Sequence, residues 1–552
     1  MKQYKLLNNV VGGVVFLISL VTYLLTIEPT ASFWDCGEFI STAYKLEIGH
    51  PPGAPFFMLM ARFFTLFASD VHEVAKMVNI FSAFMSALTI LFLFWTITHL
   101  ARRLVIKAES DFTLVNTIAI LGAGTVGALA YTFSDTFWFS AVEAEVYASS
   151  SMFTAIVFWA MLKWEDVADR PFANRWLILI AYLMGLSVGV HLLNLLSIPV
   201  LVLVYYFRKF KFSWKGVGIS FAVSVVLLAV ILYGIIPGFV TVAGWFELLF
   251  VNVFGFSFNT GVIIYSIALI SCLVGGIYTS YSEKFEDSKL PTILFIASVA
   301  LLGIPFFGSH IVLGILILVA MAGYFFFTEK GRNTQMSLLN TVLTCLTVIL
   351  LGYSSYATLV IRSNANPPMD QNSPDDVFTL KSYLNREQYG DTPLLYGESF
   401  ASEFKYDRSG SVAKEYGEDL WAKKIKNNEN EPDEYYAYDK KTKYIYQSQF
   451  LMFLPRMYSR QGSHISAYKS WSNFTGQAIK AGDGNRVEAP TFGDNMTYFL
   501  RYQVGFMYWR YFMWNFVGRQ NDIQGHGEIT HGNWLSGIDF IDELRLGDQS
   551  SL

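Results

Sequence analysis

Two carboxylates and an imidazole lie close together in a polar stretch near the start of the chain. Asp35 and Glu38 stand among aromatic residues, and His50 follows before two prolines. On a short interfacial helix over residues 32–48, this spacing would turn both carboxylates toward one place. Carboxylates beside an apolar wall suit a general base. The stretch therefore nominates Asp35 and Glu38 as catalytic residues and His50 as a substrate-binding residue, with solvated loop acids as the alternative.

Four further residues are candidates for binding a substrate. Residues two apart on a helix point to nearly opposite sides, so we expect at most one of Glu143 and Glu145 to face a shared site. Glu145 is preferred because it lies closer to the apolar run of the next crossing. His191 lies within an apolar run, where a hydrogen-bonded packing role is the alternative. Arg62 and Arg362 are placed where a phosphate-bearing lipid head would lie, and a guanidinium suits a phosphate. For both arginines, an interfacial anchor is the alternative.

The composition defines the class of protein that must position these residues. Of 552 residues, 53% are hydrophobic and 15% are charged, against roughly 25% charged in ordinary soluble domains. The mean hydropathy is +0.38, which excludes disorder. A balance of 40 basic and 44 acidic residues argues against nucleic-acid binding, and three cysteines cannot form a disulfide framework. The composition indicates an α-helical polytopic membrane protein.

Apolar runs long enough to cross a bilayer predict about eleven transmembrane helices. Lysine and arginine in short loops place the N-terminus in the cytoplasm, so an odd number of crossings places the C-terminal region outside. Two of the runs are predicted to form hairpins, and for the first of these, residues 176–207, a single long helix is the alternative. The predicted segments are 8–27, 77–100, 114–133, 147–163, 176–207 as a hairpin, 217–236, 260–280, 291–327 as a hairpin, and 337–360.

A step in charge divides the chain before Arg362. The residues from Arg362 onward hold 21 of the 40 basic and 25 of the 44 acidic residues. This step predicts a transmembrane domain over 1–361 and an extracytoplasmic C-terminal region of mixed structure over 362–552. Within that region, residues 497–517 are predicted to form an interfacial helix, because a crossing would bury two arginines in the bilayer.

Several motifs together resemble one family of membrane enzymes. The stretches Trp34–Phe39 and His50–Pro55 are similar to the most characteristic part of glycosyltransferase family 117. That family groups bacterial membrane proteins of the Bacteroidetes type with animal protein O-mannosyltransferases. Ala144–Tyr147 and Gly185–His191 support the resemblance, which covers most of the chain.

The resemblance implies a C-type glycosyltransferase fold and a reaction on the outer side of the membrane. The enzyme would move a sugar, mannose, from a polyprenyl-phosphate carrier to Ser/Thr hydroxyls of an exported protein, with inversion. Asp35 matches the general base, and Glu38 would orient a substrate. Arg362 or Arg62 would hold the leaving phosphate, so neither a metal nor a cofactor is expected. The implied setting is a bacterial inner membrane with the active site on the periplasmic side.

Other functions stay open on the sequence alone. A related transferase would modify a glycolipid or lipid A instead of a protein. A transporter or flippase is disfavoured because the sequence has no clear internal repeat and the candidate acids lie at the rim of the membrane. A non-catalytic assembly scaffold also accounts for a large polar tail.

Overall fold

The computed structural model describes residues 2–307, 309–482 and 484–548, which form two compact units. The first unit holds residues 1–133, 137–388 and 421–436, and the second holds 134–136, 389–420 and 437–552. The composition step before Arg362 therefore lies inside the first unit. The division into a transmembrane domain over 1–361 and an extracytoplasmic region over 362–552 therefore remains a prediction.

The first unit is built from apolar helices. In the described part of the chain, eight helices have the length and composition to cross a membrane, which identifies a polytopic membrane protein. They are Lys2–Leu25, Val71–Val105, Leu114–Thr132, Val146–Val167, Leu192–Lys209, Trp214–Val253, Thr260–Tyr281 and Met336–Ser363. Four shorter apolar helices are Pro55–Thr65, Asn174–Val188, Leu290–Leu301 and Ile311–Phe327. Short helices also cover Cys36–Lys45, Asp135–Ala141, Glu329–Arg332 and Val377–Leu384.

Both predicted hairpins are found as pairs of helices. The run 176–207 breaks after Asn174–Val188 and resumes at Leu192, and the run 291–327 breaks between Leu290–Leu301 and Ile311–Phe327. All eleven predicted segments thus correspond to helices, but three of these are too short for the length criterion that the other eight meet. The number of crossings therefore remains a prediction.

One helix extends well beyond its predicted end. The segment predicted for 217–236 continues past Pro237 to Val253. A π-helical stretch at Val230–Ile235 precedes the proline, and such wider turns relieve the missing backbone donor. The extension carries the fully buried Glu247.

The Glu247 carboxylate joins three elements of the first unit. It accepts hydrogen bonds from Asn259 N at 2.5 Å and Val262 N at 3.1 Å, at the start of the helix Thr260–Tyr281. It also accepts one from Tyr435 Oη at 3.3 Å. A helix N-terminus has unpaired N–H groups and a partial positive charge, which a carboxylate satisfies.

Close helix contact in this unit depends on two glycines. Gly185 and Gly352 lie where the helices Asn174–Val188 and Met336–Tyr353 cross. A Cβ at Gly185 would lie 2.4 Å from Ile349 O, and one at Gly352 would lie 2.4 Å from Leu186 N. Small residues permit such close approach of backbones in membrane helices.

The second unit mixes short antiparallel strand pairs with helices. The pairs are Tyr396–Glu398 with Leu451–Phe453, Lys414–Lys423 with Tyr435–Tyr444, Gln477–Lys480 with Arg486–Ala489, and Gly518–Arg519 with Trp534–Leu535, although residues 421–436 of the second pair belong to the first unit. The helices are Gly462–Ser472, Phe492–Trp514 and Asp539–Leu546. The helix predicted for 497–517 is found, but it begins earlier, at Phe492, and ends at Trp514, three residues before the predicted end. Its Arg510 is buried, with the guanidinium carbon 3.6 Å from the centre of the Phe506 ring. Its position at a membrane surface stays a prediction.

Candidate active site

The helix Cys36–Lys45 positions the first pair of acids. It begins after Trp34, whose φ of 60° is rare for a large side chain, and it ends at Leu46 with φ 52°. Phe39 and Ala43 are buried on its inner face. Strained backbone beside a candidate catalytic residue is a recurring feature of functional sites.

Asp35, Glu38 and His50 converge at the N-terminal end of this helix. One ligand-type atom from each lies within 4.8 Å of the others. Glu38 Oε1 accepts a hydrogen bond from the backbone N–H of His50 at 2.6 Å and lies 2.8 Å from His50 Nδ1. Asp35 is exposed, whereas Glu38 and His50 are partly buried. The structure therefore gathers three of the seven predicted site residues into one cluster.

The contacts between Glu38 and His50 favour the charged form of each group. Burial raises the pKa of Glu38, but the hydrogen bonds from His50 outweigh it and the pKa falls below its ordinary value. The hydrogen bond to Glu38 raises the pKa of His50 above its ordinary value, despite burial. A carboxylate that is paired in this way orients its neighbours and is a poor base. This electrostatic arrangement leaves Asp35 as the better candidate for proton transfer.

Two buried acids, Glu143 and Glu145, lie near this cluster in the second loop, which joins the helices Asp135–Ala141 and Val146–Val167. Cys36 Sγ lies 3.8 Å from Glu143 Oε2 and 3.9 Å from Glu145 Oε1, and all three residues are buried. Helical spacing predicted that at most one of these acids would face a shared site, but both approach the same sulfur. The helix begins only at Val146, so helical spacing does not apply to the turn before it. Glu143 is therefore a candidate site residue that the sequence reasoning set aside.

Burial also changes the pKa values of Cys36 and Glu145. It raises the pKa of Cys36 to about 12, so the thiol is a protonated packing group. Burial, together with the charges of Glu143 and Asp35, raises the pKa of Glu145 from 4.5 to about 7. Glu145 therefore changes its charge near neutral pH.

The raised pKa of Glu145 predicts a pH-dependent stability. Between pH 4.5 and about 7, the folded protein binds more protons than the unfolded chain, so stability falls as pH rises through this window. Above it, Glu145→Gln should be more stable than the wild type by about 1–3 kcal/mol, and the difference should be smallest at pH 5, near the lower end of the window. Thermal unfolding in detergent at pH 5, 6, 7 and 8 measures this difference. Glu109→Gln, at an exposed acid, is the control, and an equal pH dependence in both variants would refute the prediction.

A segment far along the chain contacts the first loop, which comprises residues 26–70. This anchor segment, residues 362–386, runs beside the loop and pairs Ile48 with Asp370 in a parallel bridge. Tyr383 Oη donates a hydrogen bond to Gly49 O at 2.6 Å. These contacts position the backbone just before His50.

The two predicted phosphate-binding arginines make contacts other than with the acidic cluster. Arg362 Nε donates to Leu46 O at 2.7 Å and Nη2 donates to Lys45 O at 3.2 Å, at the C-terminal end of the first-loop helix. Arg62 donates to Thr65 Oγ1 at 3.1 Å and lies 5.3 Å from the ring centre of Tyr44. Arg362 thus stabilises the helix that carries Glu38.

A different arginine contributes the positive charge at the cluster. Glu38 raises the pKa of His50 and the charge of Arg386 only weakly opposes this rise, whereas at His191 burial lowers the pKa and the charge of Arg386 lowers it further. The backbone N–H of Arg386 donates to Tyr383 O, three residues from the contact with Gly49. Sequence reasoning missed Arg386 because nothing near it in the chain marks a site.

His191 is held in one orientation beside the second loop. Its Nδ1 accepts a hydrogen bond from Leu193 N at 3.1 Å, and its ring centre lies 5.5 Å from that of Tyr147. Burial, followed by the charge of Arg386, lowers its pKa. The neutral ring therefore carries its proton on Nε2, which is a hydrogen-bond donor.

The cluster also has the chemistry of a divalent-cation site. Two carboxylates and one imidazole, here Asp35, Glu38 and His50, suit borderline ions such as Zn²⁺ or Mn²⁺. The hydrogen bonds between Glu38 and His50 account for their spacing without an ion. The expectation that no metal is needed remains a prediction.

The fold and this site define a class: a polytopic membrane protein with an acidic cluster in a loop outside its spanning helices. Comparison with known proteins shows which members of this class the chain is similar to. Residues 35–214 match the model of the protein O-mannosyl-transferase TMEM260 N-terminal domain. Residues 390–500 match a family of unknown function (DUF8416).

Two curated relatives carry the same enzyme name. The protein O-mannosyl-transferase tmem260 of Dictyostelium discoideum is 25% identical over 200 residues, which cover 35% of this chain and 22% of the relative. Protein O-mannosyl-transferase TMEM260 of Mus musculus is 25% identical over 173 residues, covering 31% and 22%. The match thus spans about a fifth of each relative's length. The likeness supports an O-mannosyltransferase-like membrane protein and includes the first-loop cluster.

Proposed function

We propose that this protein is a membrane glycosyltransferase that moves mannose from a polyprenyl-phosphate carrier to Ser/Thr hydroxyls of exported proteins. The convergence of Asp35 with the Glu38–His50 pair carries the proposal. The matched region begins at Asp35 and includes all three residues. In this proposal, the active site and the region from Arg362 onward lie on the periplasmic side of a bacterial inner membrane, and the fold is of the C-type glycosyltransferase kind.

The geometry supports a single displacement at the sugar. Asp35 takes the proton of the acceptor hydroxyl while its oxygen bonds to the anomeric carbon. The bond between that carbon and the phosphate oxygen breaks, and the polyprenyl phosphate leaves with the electron pair. Attack opposite the leaving group inverts the configuration. Glu38, held by His50, orients the acceptor or the sugar, and Glu145 contacts the substrate from the second layer.

The same proposal includes groups that would bind the leaving phosphate. Arg386 and the Nε2–H of His191 provide a charge and a donor where negative charge develops. Arg362 and Arg62, expected from the sequence to do this, contact the first-loop helix end and Thr65 instead. Arg362 acts through the helix it caps, as a positioning residue.

Arg386→Ala should weaken the use of the lipid-phosphate donor. We expect kcat/KM for the donor to fall about 10²–10³-fold, as when a donor to a developing oxyanion is removed. Inhibition by the product polyprenyl phosphate should weaken as well, which a merely structural role would not produce. Steady-state kinetics with Arg175→Ala as the exposed control measure both effects. Unchanged product inhibition in Arg386→Ala would remove this arginine from the phosphate site.

The proposed function is tested by direct transfer. Purified protein in detergent or nanodiscs receives polyprenyl-phosphate mannose and a Ser/Thr-rich peptide, and mass spectrometry detects mannosylated peptide. A glycolipid or lipid A acceptor is offered in parallel. Transfer to lipid alone would favour the glycolipid-modifying alternative. Donor movement across vesicles without transfer to any acceptor would favour a transporter, and both outcomes would overturn the proposal.

A further inference from the structure

A buried arginine of the second unit lacks a counter-charge. Arg510 is 2% exposed, and its Nε donates a hydrogen bond to Phe506 O at 3.2 Å. Its Nη1 lies 3.5 Å from Gly532 O, which is longer than an ordinary N–H···O bond. Among the residues that the structure describes, Nη2 has no hydrogen-bond partner and no carboxylate forms an ion pair with the guanidinium. A buried charge that stays unpaired is costly to a folded protein.

Three aromatic rings stabilise the charge of Arg510 but do not satisfy its free donor. The guanidinium carbon lies 3.6 Å from the centre of the Phe506 ring, 5.0 Å from that of Tyr511 and 4.9 Å from that of Trp514. These contacts attract the positive charge through the electrons of the rings. The N–H groups of a guanidinium lie at its edge, in the plane where carboxylate and phosphate oxygens bind. Nη2 is therefore a buried donor to which the rings offer no oxygen.

Trp514 adds a second buried donor to the same face of the helix end. It follows Arg510 by four residues in the α-helical turn Arg510–Trp514. Its indole Nε1, which can only donate, is also buried without a partner in the described part of the chain. Buried polar groups are nearly always paired. Two unpaired donors on one helix face thus indicate an acceptor that the protein does not itself supply.

Arg519 brings a second positive charge to the Trp514 ring. Its guanidinium carbon lies 4.1 Å from the centre of that ring, and its side chain is 34% exposed. Its ion pair with Asp522 is long, at 3.8 Å from Nε to Oδ1, and the Asp522 side chain is 99% exposed, so the pair contributes little. Two guanidinium groups on one indole repel each other, and an anion bound beside both would remove this repulsion.

The pKa of Arg510 is consistent with this excess of positive charge. Burial lowers that pKa below its ordinary value, Tyr511 opposes the change, and the charge of Arg519 lowers it further. Arginine nevertheless keeps its proton at neutral pH. The charge must therefore be balanced from outside the described residues, and Arg519, which is partly open to solvent, marks the accessible side of the site.

We infer that Arg510, Trp514 and Arg519 form a site for a phosphate group. Two guanidinium groups and one indole N–H match a ligand with several acceptor oxygens and a full negative charge. The strand pair that carries Arg519, Gly518–Arg519 with Trp534–Leu535, packs against the helix end that carries Arg510 and Trp514. A bound phosphate would therefore join two elements of the second unit. This site goes beyond the proposed transferase function and does not depend on it.

A phospholipid head group and a free phosphate ion are two sources of this group. The helix Phe492–Trp514 and the residues just after it expose an apolar or aromatic side chain at every fourth position. These side chains are Leu500, Val504, Tyr508, Phe512 and Phe516. Such a row is typical of a helix at a membrane surface, where lipid phosphates lie. Both sources are therefore tested.

Thermal unfolding of the full chain in detergent measures binding to this site. Inorganic phosphate at constant ionic strength is one probe, and short-chain phosphatidic acid, with diacylglycerol as its phosphate-free control, is the other. A ligand that binds only the folded protein raises Tm with its concentration. In Arg510→Met and Arg519→Ala, we expect Kd to rise about 10–100-fold, the effect of losing a charge-assisted hydrogen bond. Arg501→Ala, at an exposed arginine of the same helix, is the matched control.

Two further variants and the two probes decide the result. Trp514→Phe retains the ring and removes only the N–H donor, so it should weaken binding without unfolding the protein. Arg519→Ala changes a partly exposed side chain, so it tests the site even if Arg510→Met does not fold. A shift with inorganic phosphate supports a site for the free ion, and a shift with phosphatidic acid alone supports a lipid head group. No shift with either probe, or undiminished binding in both Arg519→Ala and Trp514→Phe, would overturn the inference.

Discussion

Asp35→Asn is expected to lower kcat for mannosyl transfer by about 10²–10⁴-fold, the range for loss of a general base. The amide is isosteric but cannot accept the hydroxyl proton. Asp35 stands at the N-cap position of its helix, yet in the described structure its side chain makes no capping hydrogen bond. The substitution should therefore leave the helix and the donor KM nearly unchanged.

Asp70→Asn provides the matched control for this prediction. Asp70 lies in the same loop and is exposed, and its carboxylate accepts the backbone N–H of His72 instead of joining the cluster. Its activity should equal that of the wild type. Rates are measured with saturating donor and peptide, and thermal unfolding verifies that both variants are folded. Wild-type kcat in Asp35→Asn would eliminate Asp35 as the base.

Glu247→Ala is expected to destabilise the folded protein by about 2–4 kcal/mol, since it leaves buried donors without a partner. The donors are the backbone N–H groups of Asn259 and Val262 and the hydroxyl of Tyr435. All three lose their acceptor in a site with no exposed surface at Glu247. Unfolding by a denaturing detergent, followed by tryptophan fluorescence, measures the change.

Glu247→Gln separates the hydrogen bonds from simple loss of packing. It retains one acceptor oxygen and nearly the same volume, so its loss of stability should be about half of that in Glu247→Ala. Glu286→Ala, at an exposed acid, should have little effect. If Glu247→Ala were no more harmful than Glu286→Ala, the role of Glu247 in joining these elements would be refuted.

Local periodicity was sufficient to predict most of the helices and the first pair of acids. Apolar length located the spanning segments, including the breaks near His191 and after Leu301. The spacing of Asp35 and Glu38 correctly predicted a short helix with a buried face. These features depend on neighbours within a few residues, which a sequence displays directly.

The features that were missed depend on other kinds of information. Glu143 faces the site because an irregular turn replaces the helix assumed from spacing. The helix through Pro237 continues because a π-helical stretch precedes the proline. Tyr383 contacts the backbone next to His50 although the two residues are far apart in the chain, and Arg362 donates to backbone carbonyls that the sequence does not mark. Long-range placement of this kind has no local signal.

The anchor segment also sets the order in which the site is completed during synthesis. The hydrogen bond from Tyr383 to Gly49 joins residues 334 positions apart, and that from Arg362 to Leu46 joins residues 316 apart. Ribosomes add residues at roughly 5–20 per second, so Asp35 emerges long before its supports exist. A nascent chain that ends at residue 214, the limit of the family match, would carry the reactive side chains without the contacts that fix them. The enzyme would then gain activity late in its biogenesis, after most of its membrane helices have been made.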